Sequence, residues 1–473
     1  MPETLSSLLL DCWAGNPAPA IVTSDATWSG DEFIARAYGV SAWIAGHHVR
    51  EYGALAAIID ESPDAIALAV GAAFSGRALA PLGTRLPVEQ LAAAVRRIGS
   101  DVVIASPAMA KIAADVAARS GARLVVFEGT APVRSGDAFA EPAHIGAVIH
   151  TSGTTGDPSP VFMRQDALAA RARVYAEVIE LGSGDRYCST SPFYHVAGMG
   201  MALVALGVGA TVLPCAGFTF AEWQRMQALA PTHVLVVPTM IDMLLAAGGL
   251  NAGMRVLQYG AAPMHPDTLT EAMRAMPDTR LIQIFGQTEV SPVTVLSHDD
   301  HQLAAEGASH LLSSVGRPPS SLELRLERSD QDGVGEVTVR APHVFAPDAD
   351  GWRRTGDLAV VDADGYVYLR GRRHDRIVRG GENIYPIEIE TVLGTHPGVA
   401  EVCVIGVPDR RWGEIVKAIV VPAAGTSSIN AIELQAYARE RLAHFKVPAV
   451  VEFIDELPRT PTGKVLRRAL GAG

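Results

Sequence analysis

The run "TSGTTG" at residues Thr151 to Gly156 sets hydroxyls and glycines side by side, directly after the apolar stretch "GAVIH". The apolar stretch reads as a strand, so the run is a loop leaving a strand end. Glycines let a backbone adopt positive φ and expose consecutive N–H groups, and such a nest takes an anion. The hydroxyls add donors. The chemistry is that of a phosphate cradle. The loop is not a Walker A sequence, because GxxxxGK[ST] is absent. It is not a GxSxG nucleophile elbow either, since His150 stands where the first glycine belongs. The plain alternative, from this loop alone, is a polar turn.

The elements around the loop are those of a large globular chain. The 473 residues allow two to four units of about 100–200 residues each. A hydrophobic content of 48% with 19% charged residues excludes a disordered chain. The net charge of −12 argues against nucleic acid as a partner. The basic patch "GRRHDRIVR" is a local exception, read either as an anion contact or as a solvated face. Cys12, Cys188, Cys215 and Cys403 are too scattered for a zinc or dithiol motif. They fit a reducing compartment, so a cytoplasmic protein is expected. "MPETLSSLLLDCWAG" lacks the basic start and long apolar run of a signal peptide. Val196 to Ala221 carries no charge, but its glycines and Pro214 mark a core helix, a turn and a buried strand rather than a membrane span.

Through about residue 300, helix and strand signals alternate. "SGDEFIARAYGVSAWI" opens with a capping box, Ser29 with Glu32, and continues with Phe33, Ala37, Val40 and Ile44 at helical spacing. "THVLVVP", "MRVLQYG" and "RLIQIFG" are short apolar strands, each ending at a turn signal. Such alternation predicts α/β layers of mostly parallel sheet, with ligands at the strand ends. After about Ser313, "SLELRLE", "GEVTVRAP" and "GYVYLRGR" alternate apolar and polar residues around Asp-Gly turns, which predicts antiparallel sheet. From about Arg373 the chain reads as a small α+β unit.

Six further stretches follow "TSGTTG" in order: "YGAAP" (Tyr259–Pro263), "FGQTE" (Phe285–Glu289), "RTGDL" (Arg354–Leu358), "GRRHDRI" (Gly371–Ile377), "GGENIYPIEIE" (Gly380–Glu390) and "RTPTGKVLRR" (Arg459–Arg468). Together they resemble the adenylate-forming superfamily of acyl- and aryl-CoA synthetases, peptide-synthetase adenylation domains and firefly-type luciferases. The resemblance runs from about residue 20 to 470. It implies a large N-terminal domain, residues 1–372, and a small mobile α+β lid, residues 373–473. It also implies activation of a carboxylic acid by ATP to an acyl-adenylate, followed by transfer to a thiol such as coenzyme A.

The resemblance also implies site residues. Thr151, Ser152, Gly153, Thr154, Thr155 and Gly156 would hold the β- and γ-phosphates. Gly260, Ala261 and Ala262 would line the adenine and acyl group. Phe285, followed by Gly286 and Gln287, would stack near the adenine, its alternative being a plain core aromatic. Thr288 would touch the α-phosphate, and Glu289 would hold Mg²⁺, a hard ion that suits a carboxylate. Asp357 and Arg372 would bind the ribose. Gly380, Gly381, Glu382 and Asn383 would border the pantetheine tunnel. Lys464 would be the adenylation cation. His195, in "SPFYHVAG", would gate the acyl and thiol sites rather than act as a base; its alternative is a satisfied core histidine. The hinge would be His374, with Arg373 and Asp375.

The chain departs from the family pattern in three places. Pro158-Ser159-Pro160 replaces Pro-Lys-Gly after the phosphate loop, so its lysine is missing and Arg164 is one substitute. The segment before "RTGD" lacks the usual Gly-Tyr. His374 stands where Asp or Lys is usual. The reading is an AMP-forming carboxylate–CoA ligase without a membrane span. The alternatives are an enzyme passing the acyl group to a carrier protein or a small amine, and a non-catalytic nucleotide binder. Ala261, Ala262 and the uncharged stretch around "FYHVAGMGMALVAL" favour a mainly apolar acyl or aryl acid. Because charge-assisted hydrogen bonds are roughly twice as strong as neutral ones, Ser159→Lys is expected to lower the KM for ATP. An unchanged or higher KM in steady-state assays would show that another group fills the role.

Overall fold

A strand covered on both faces is mostly apolar and must pair every amide with a neighbour. Val102–Ala105, His233–Val236 and Val256–Gly260 are such strands, buried at every position. The computed structural model describes residues 3–47, 53–152, 158–215, 217–249, 253–262, 264, 266–423, 429–459 and 465–471. The chain forms two compact units: Met1–Glu323 with Arg340–Arg353, and Leu324–Val339 with Arg354–Gly473. By compactness, therefore, most of the antiparallel sheet before Arg372 groups with the C-terminal residues.

The first unit holds an eight-stranded and a six-stranded sheet. In the larger sheet, Thr211–Pro214, Arg186–Ser189, His233–Val236, Val256–Gly260 and Arg280–Gln287 run parallel in that spatial order. In the smaller, Arg123–Val126, Val102–Ala105, Ala54–Ile58, Ala78–Pro81 and Ile145–Ser152 do the same. Each parallel run ends in an antiparallel hairpin partner, Val290–Leu296 in one sheet and Pro158–Arg164 in the other.

Alternation along the strands builds the layers. Leu55 and Ala57 of the smaller sheet, with Val256 and Ile282 of the larger, enter one shared core. Helices Leu5–Trp13, Gly30–Gly46, Pro63–Phe74, Gln165–Val178 and Met201–Gly207 contribute to that same core and so lie between the sheets. Ala56 and Ile58 face the opposite way, against Val88–Arg97 and Ala110–Ser120. Leu257 and Tyr259 turn to Phe220–Ala228, Pro238–Ala246 and Pro266–Ala275. Helix Pro63–Phe74 shows what the central layer demands: every residue from Ala65 to Phe74 is buried.

The capping box expected at Ser29 is only half formed. Ser29 Oγ accepts the Glu32 amide at 3.2 Å, but the Glu32 carboxylate instead pairs with Arg36 one turn on, at 2.8 Å. No described helix is long and apolar enough to cross a membrane. The uncharged stretch after His195 becomes a π-helix turn, Val196–Gly200, then helix Met201–Gly207 and the buried strand Thr211–Pro214.

In the second unit, Arg353–Val361 and Val367–Arg372 pair antiparallel. A five-stranded sheet then centres on Gly413–Pro422, with Ile377–Arg379, Val399–Asp409 and Val450–Phe453 bonded to it. Helices Pro386–Gly394 and Ala431–Arg439 cover one face. The C-terminal helix is tied in by Arg467, whose two terminal nitrogens reach Glu390 at 2.5 and 2.8 Å.

Within the first unit, the Tyr259 hydroxyl donates to His301 Nε2 at 2.7 Å, and His301 Nδ1 donates to the Ser297 carbonyl at 2.6 Å. This pattern needs a neutral ring, and burial lowers the His301 pKa from 6.5 to about 4. The unfolded chain therefore binds a proton that the folded chain refuses. The His301 contribution is intact above pH 6.5 and is lost as pH falls from 6.5 towards about 4. Chemical denaturation at stepped pH is expected to show a shallower decline over this window for His301→Gln than for the wild type.

Candidate active site

Parallel strands deliver their carboxyl ends to one edge, and the motif residues of the first unit follow those ends. Val256–Gly260 runs into Ala261 and Ala262, both exposed. Its neighbour Arg280–Gln287 carries Phe285, Gly286 and Gln287, then turns through Thr288 and Glu289 into Val290–Leu296. Glycine at position 260 is obligatory, because a Cβ there would sit 2.2 Å from the Ile284 carbonyl oxygen on the adjacent strand. At Gly286 a Cβ would lie 2.7 Å from Ser291 Oγ. Ala261 has φ +66°, a left-handed conformation that costs an alanine about 1–2 kcal/mol. The two motifs thus end adjacent, closely packed strands, with backbone strain at Ala261. Phe285, Thr288 and Glu289 are each partly exposed beside it.

Glu289 does not stand alone. Its carboxylate lies 3.3 Å from Arg353 Nη2, and its carbonyl accepts the Phe345 amide at 2.9 Å. Nothing in the "RRTGD" pattern marked Arg353 as this partner. Among the described residues no cluster of three or more His, Cys, Asp or Glu side chains could hold a metal ion. Glu289 fits Mg²⁺ as a single carboxylate ligand, which is how that ion is commonly held beside substrate phosphates.

His195 follows the strand Arg186–Ser189, and the way it is held was not visible in the sequence. The Thr190 hydroxyl donates to the Leu235 carbonyl of the neighbouring strand at 2.5 Å. The Phe193 amide then donates to Glu61 at 3.3 Å, and the Tyr194 ring lies against Gly83. Glu61 and Gly83 follow Ala54–Ile58 and Ala78–Pro81 of the smaller sheet. The segment therefore spans the ends of both sheets, with His195 partly buried at the start of the π-helix turn and its ring 4.6 Å from that of Tyr194. Burial pushes the Glu61 carboxyl and the Tyr194 hydroxyl up from their ordinary values. Gly198 is needed for the turn, since a Cβ would lie 2.1 Å from the Pro192 carbonyl oxygen.

The phosphate-loop motif leaves the strand Ile145–Ser152, as expected. Thr151 pairs with Ser159 across the hairpin, its hydroxyl donating to the Ser159 carbonyl at 3.3 Å. Gly153, Thr154, Thr155 and Gly156 lie outside the described residues, as does the side chain of Ser152 and the whole of Lys464. Arg164 is a correction. It pairs with Ile145 at the far end of the hairpin, about 20 Å of strand from Pro158, and its side chain binds Asp166 at 3.0 Å. It cannot replace the missing loop lysine.

In the second unit, Asp357 and Arg372 face each other across two antiparallel strands, with Arg372 Nε 3.1 Å from Asp357 Oδ1. Thr355 sets up that corner: its hydroxyl donates to the Val337 carbonyl and accepts the Asp357 amide. Beyond it, Arg373 donates its amide to Gly356 and pairs with Glu336 at 3.1 Å, while Asp375 donates its amide to the Arg372 carbonyl. His374 projects from this turn with its ring 3.4 Å from Asp375. Gly380 and Gly381 form the tip of a hairpin, with φ of 60° and 93° between the paired Arg379 and Glu382. Two successive positive φ values of that size make a type I′ turn, which explains the glycine pair. Asn383 is partly buried in the returning strand.

Layered sheets whose strand ends carry these motifs in this order define an enzyme of the adenylate-forming class. Residues 13–347 match the AMP-binding enzyme family, and residues 388–464 match the AMP-binding enzyme C-terminal domain. The chain is 34% identical to the indoleacetate–CoA ligase of Aromatoleum aromaticum, over 70% of this chain and 69% of that protein. It is 34% identical to the feruloyl-CoA synthase of an Amycolatopsis species, over 83% of both. ATP-bound MatB from Rhodopseudomonas palustris superposes with a TM-score of 0.89 at 26% identity, covering 99% of this chain and 98% of that one. The chain belongs to the AMP-binding enzyme family.

The end of this strand makes opposite demands on neighbouring residues. Gly260→Ala is expected to force the strands apart at Ile284 and destabilise the protein by about 1–3 kcal/mol. Ala261→Gly relieves the positive φ and is expected to stabilise it by about 0.5–1 kcal/mol. Denaturant midpoints moving in the same direction for both variants would contradict this account of the strand end.

Proposed function

We propose that the protein is an ATP-dependent, AMP-forming carboxylate–CoA ligase, working through an acyl-adenylate. The observation that carries this is the strand end at Gly260, with the exposed Ala261 and Ala262 beyond it, set beside Thr288 and Glu289 in a chain of this family. Small residues at an exposed strand end let a planar base and an acyl group approach the backbone closely. The acid's carboxylate and the α-phosphorus are thereby held together, which replaces an unfavourable encounter with a positioned attack. Thr288 donates to the α-phosphate, the Thr151–Gly156 loop holds the departing pyrophosphate, and Asp357 with Arg372 takes the ribose hydroxyls. Glu289 would hold Mg²⁺, which offsets phosphate charge when bound.

In the second half-reaction the CoA thiol attacks the acyl carbon and AMP departs. His195 gates the passage between acyl group and thiol, and Gly380 to Asn383 border the pantetheine arm. His374 is the hinge, with residues 373–473 as the moving lid. Arg373, bonded to Gly356 and Glu336, and Asp375, bonded to Arg372, flank it. The scattered cysteines suit a cytoplasmic setting. Assays of pyrophosphate and AMP release on an acid panel, with and without CoA, test the reading. CoA-independent turnover with a small amine would point to the amide-forming alternative. Acyl transfer only to a carrier protein would point to the other.

Lys464 supplies the cation for the charge that builds during adenylation. Lys464→Ala is expected to slow adenylate formation by about 10²–10³, the loss seen when one oxyanion donor is removed. Thioester formation from synthetic acyl-adenylate is expected to change far less. An equal fall in both half-reactions would remove Lys464 from this role.

A further inference from the structure

Arg171, on the helix Gln165–Val178, is 1% exposed. Its Nε and Nη1 have no hydrogen-bond partner, and its Nη2 meets the thioether of Met201 at 3.6 Å, a weak acceptor. Among the described residues no carboxylate pairs with it. The guanidinium lies 5.2 Å from the centre of the Tyr175 ring, which attracts a cation but satisfies none of its N–H groups. Arginine does not shed its charge in a protein. A cation buried in this way is costly unless something pairs with it.

The surroundings locate this charge at the candidate active site. A Cβ on Gly200 would lie 2.8 Å from Arg171 Nη1, and Gly200 closes the π-helix turn that begins after His195. Tyr175, one turn along the same helix, exchanges a 2.8 Å hydrogen bond with Ser291 Oγ. That same oxygen is the atom a Cβ on Gly286 would meet. Arg171 thus lies against Gly200 at the end of the turn that follows His195, and reaches the "FGQTE" strand end through two side chains, Tyr175 and Ser291. The electrostatic influence of Arg171 extends to the buried Tyr187 and His343, and Tyr187 Oη and His343 Nδ1 are also without partners. Met201 beside it is unbranched and can repack around a guest.

We propose that Arg171 is a specificity determinant: its free N–H groups take an acceptor oxygen, from a ketone or a second carboxylate, on the acyl part of the acid substrate. This rests on the ligase reading and narrows it. The favoured acid has an apolar frame with one remote oxygen acceptor, rather than being wholly apolar. Binding that oxygen supplies the partner the cation lacks.

The test pairs straight-chain and aryl acids with their oxo- and carboxy-substituted counterparts, using AMP release with ATP and CoA. For the wild type, kcat/KM is expected to be higher for an oxygenated member than for its plain counterpart, by about 10–100-fold, the scale of a hydrogen bond to a charged group. The oxo and carboxy arms show which acceptor is preferred. Arg171→Met, close in volume and apolar, is expected to abolish or reverse the ratio, and Arg171→Lys to restore part of it. A ratio taken within one variant does not depend on how much of that variant folds. If Arg171→Met fails to fold, the wild-type ratio and the greater thermal stabilisation expected from the oxygenated acid still decide. Wild-type preference for the plain acids, or an equal loss on both members in Arg171→Met, would overturn the proposal and leave Arg171 as packing. No turnover with any acid would overturn the ligase reading, and this proposal with it.

Discussion

The first unit depends on one constraint: a strand with helices on both faces can leave no amide or carbonyl unpaired. Val256–Gly260 meets it by bonding to His233–Val236 on one side and Arg280–Gln287 on the other. Because these connections are parallel, the carboxyl ends share an edge. That brings residues from distant parts of the chain together without any direct attraction between them. The same pairing removes the space for a side chain at Gly260, where the Ile284 carbonyl is already in place. The glycines at these strand ends record how closely the strands approach.

Two sheets sharing one helical layer extend this logic. The segment from Thr190 to His195 starts on one sheet, is fixed there by Thr190, and is held by Glu61 and against Gly83 beyond strand ends of the other. Such tethering limits the positions His195 can take. The π-helix turn that follows brings Gly200 against Arg171. A side chain on Gly200 would occupy the space of the guanidinium, so the glycine and the arginine belong to one arrangement.

Charge is treated differently in different places. Arg467 is paired with Glu390 and also donates to the Val404 carbonyl, a well-satisfied cation that ties down the C-terminal helix. Asp357 is nearly buried, while its partner Arg372 is half exposed, so the pair is open to solvent on one side. Arg171 has neither a carboxylate nor water access in the same structure. The contrast separates cations that hold the fold together from one whose donors remain available.

Much of this was legible because its cause is local. Apolar runs with turn signals marked the parallel strands, and alternation marked the antiparallel ones. "TSGTTG", "YGAAP" and "FGQTE" were recognisable because close backbone approach restricts residue types over short stretches. Partners across the fold were not legible. Arg353 beside Glu289, His301 beneath Tyr259, and Glu61 beneath Phe193 are joined by strand order and layer packing, which short stretches of sequence do not encode. Arg164 shows the same limit: it is near the loop in sequence, but an extended strand carries it away. By itself the sequence determined the element types, the family and the motif residues, because these follow from local backbone preference and side-chain chemistry. Only the tertiary structure decided which charges are paired and which are left without a partner, because burial and distance arise when the layers close.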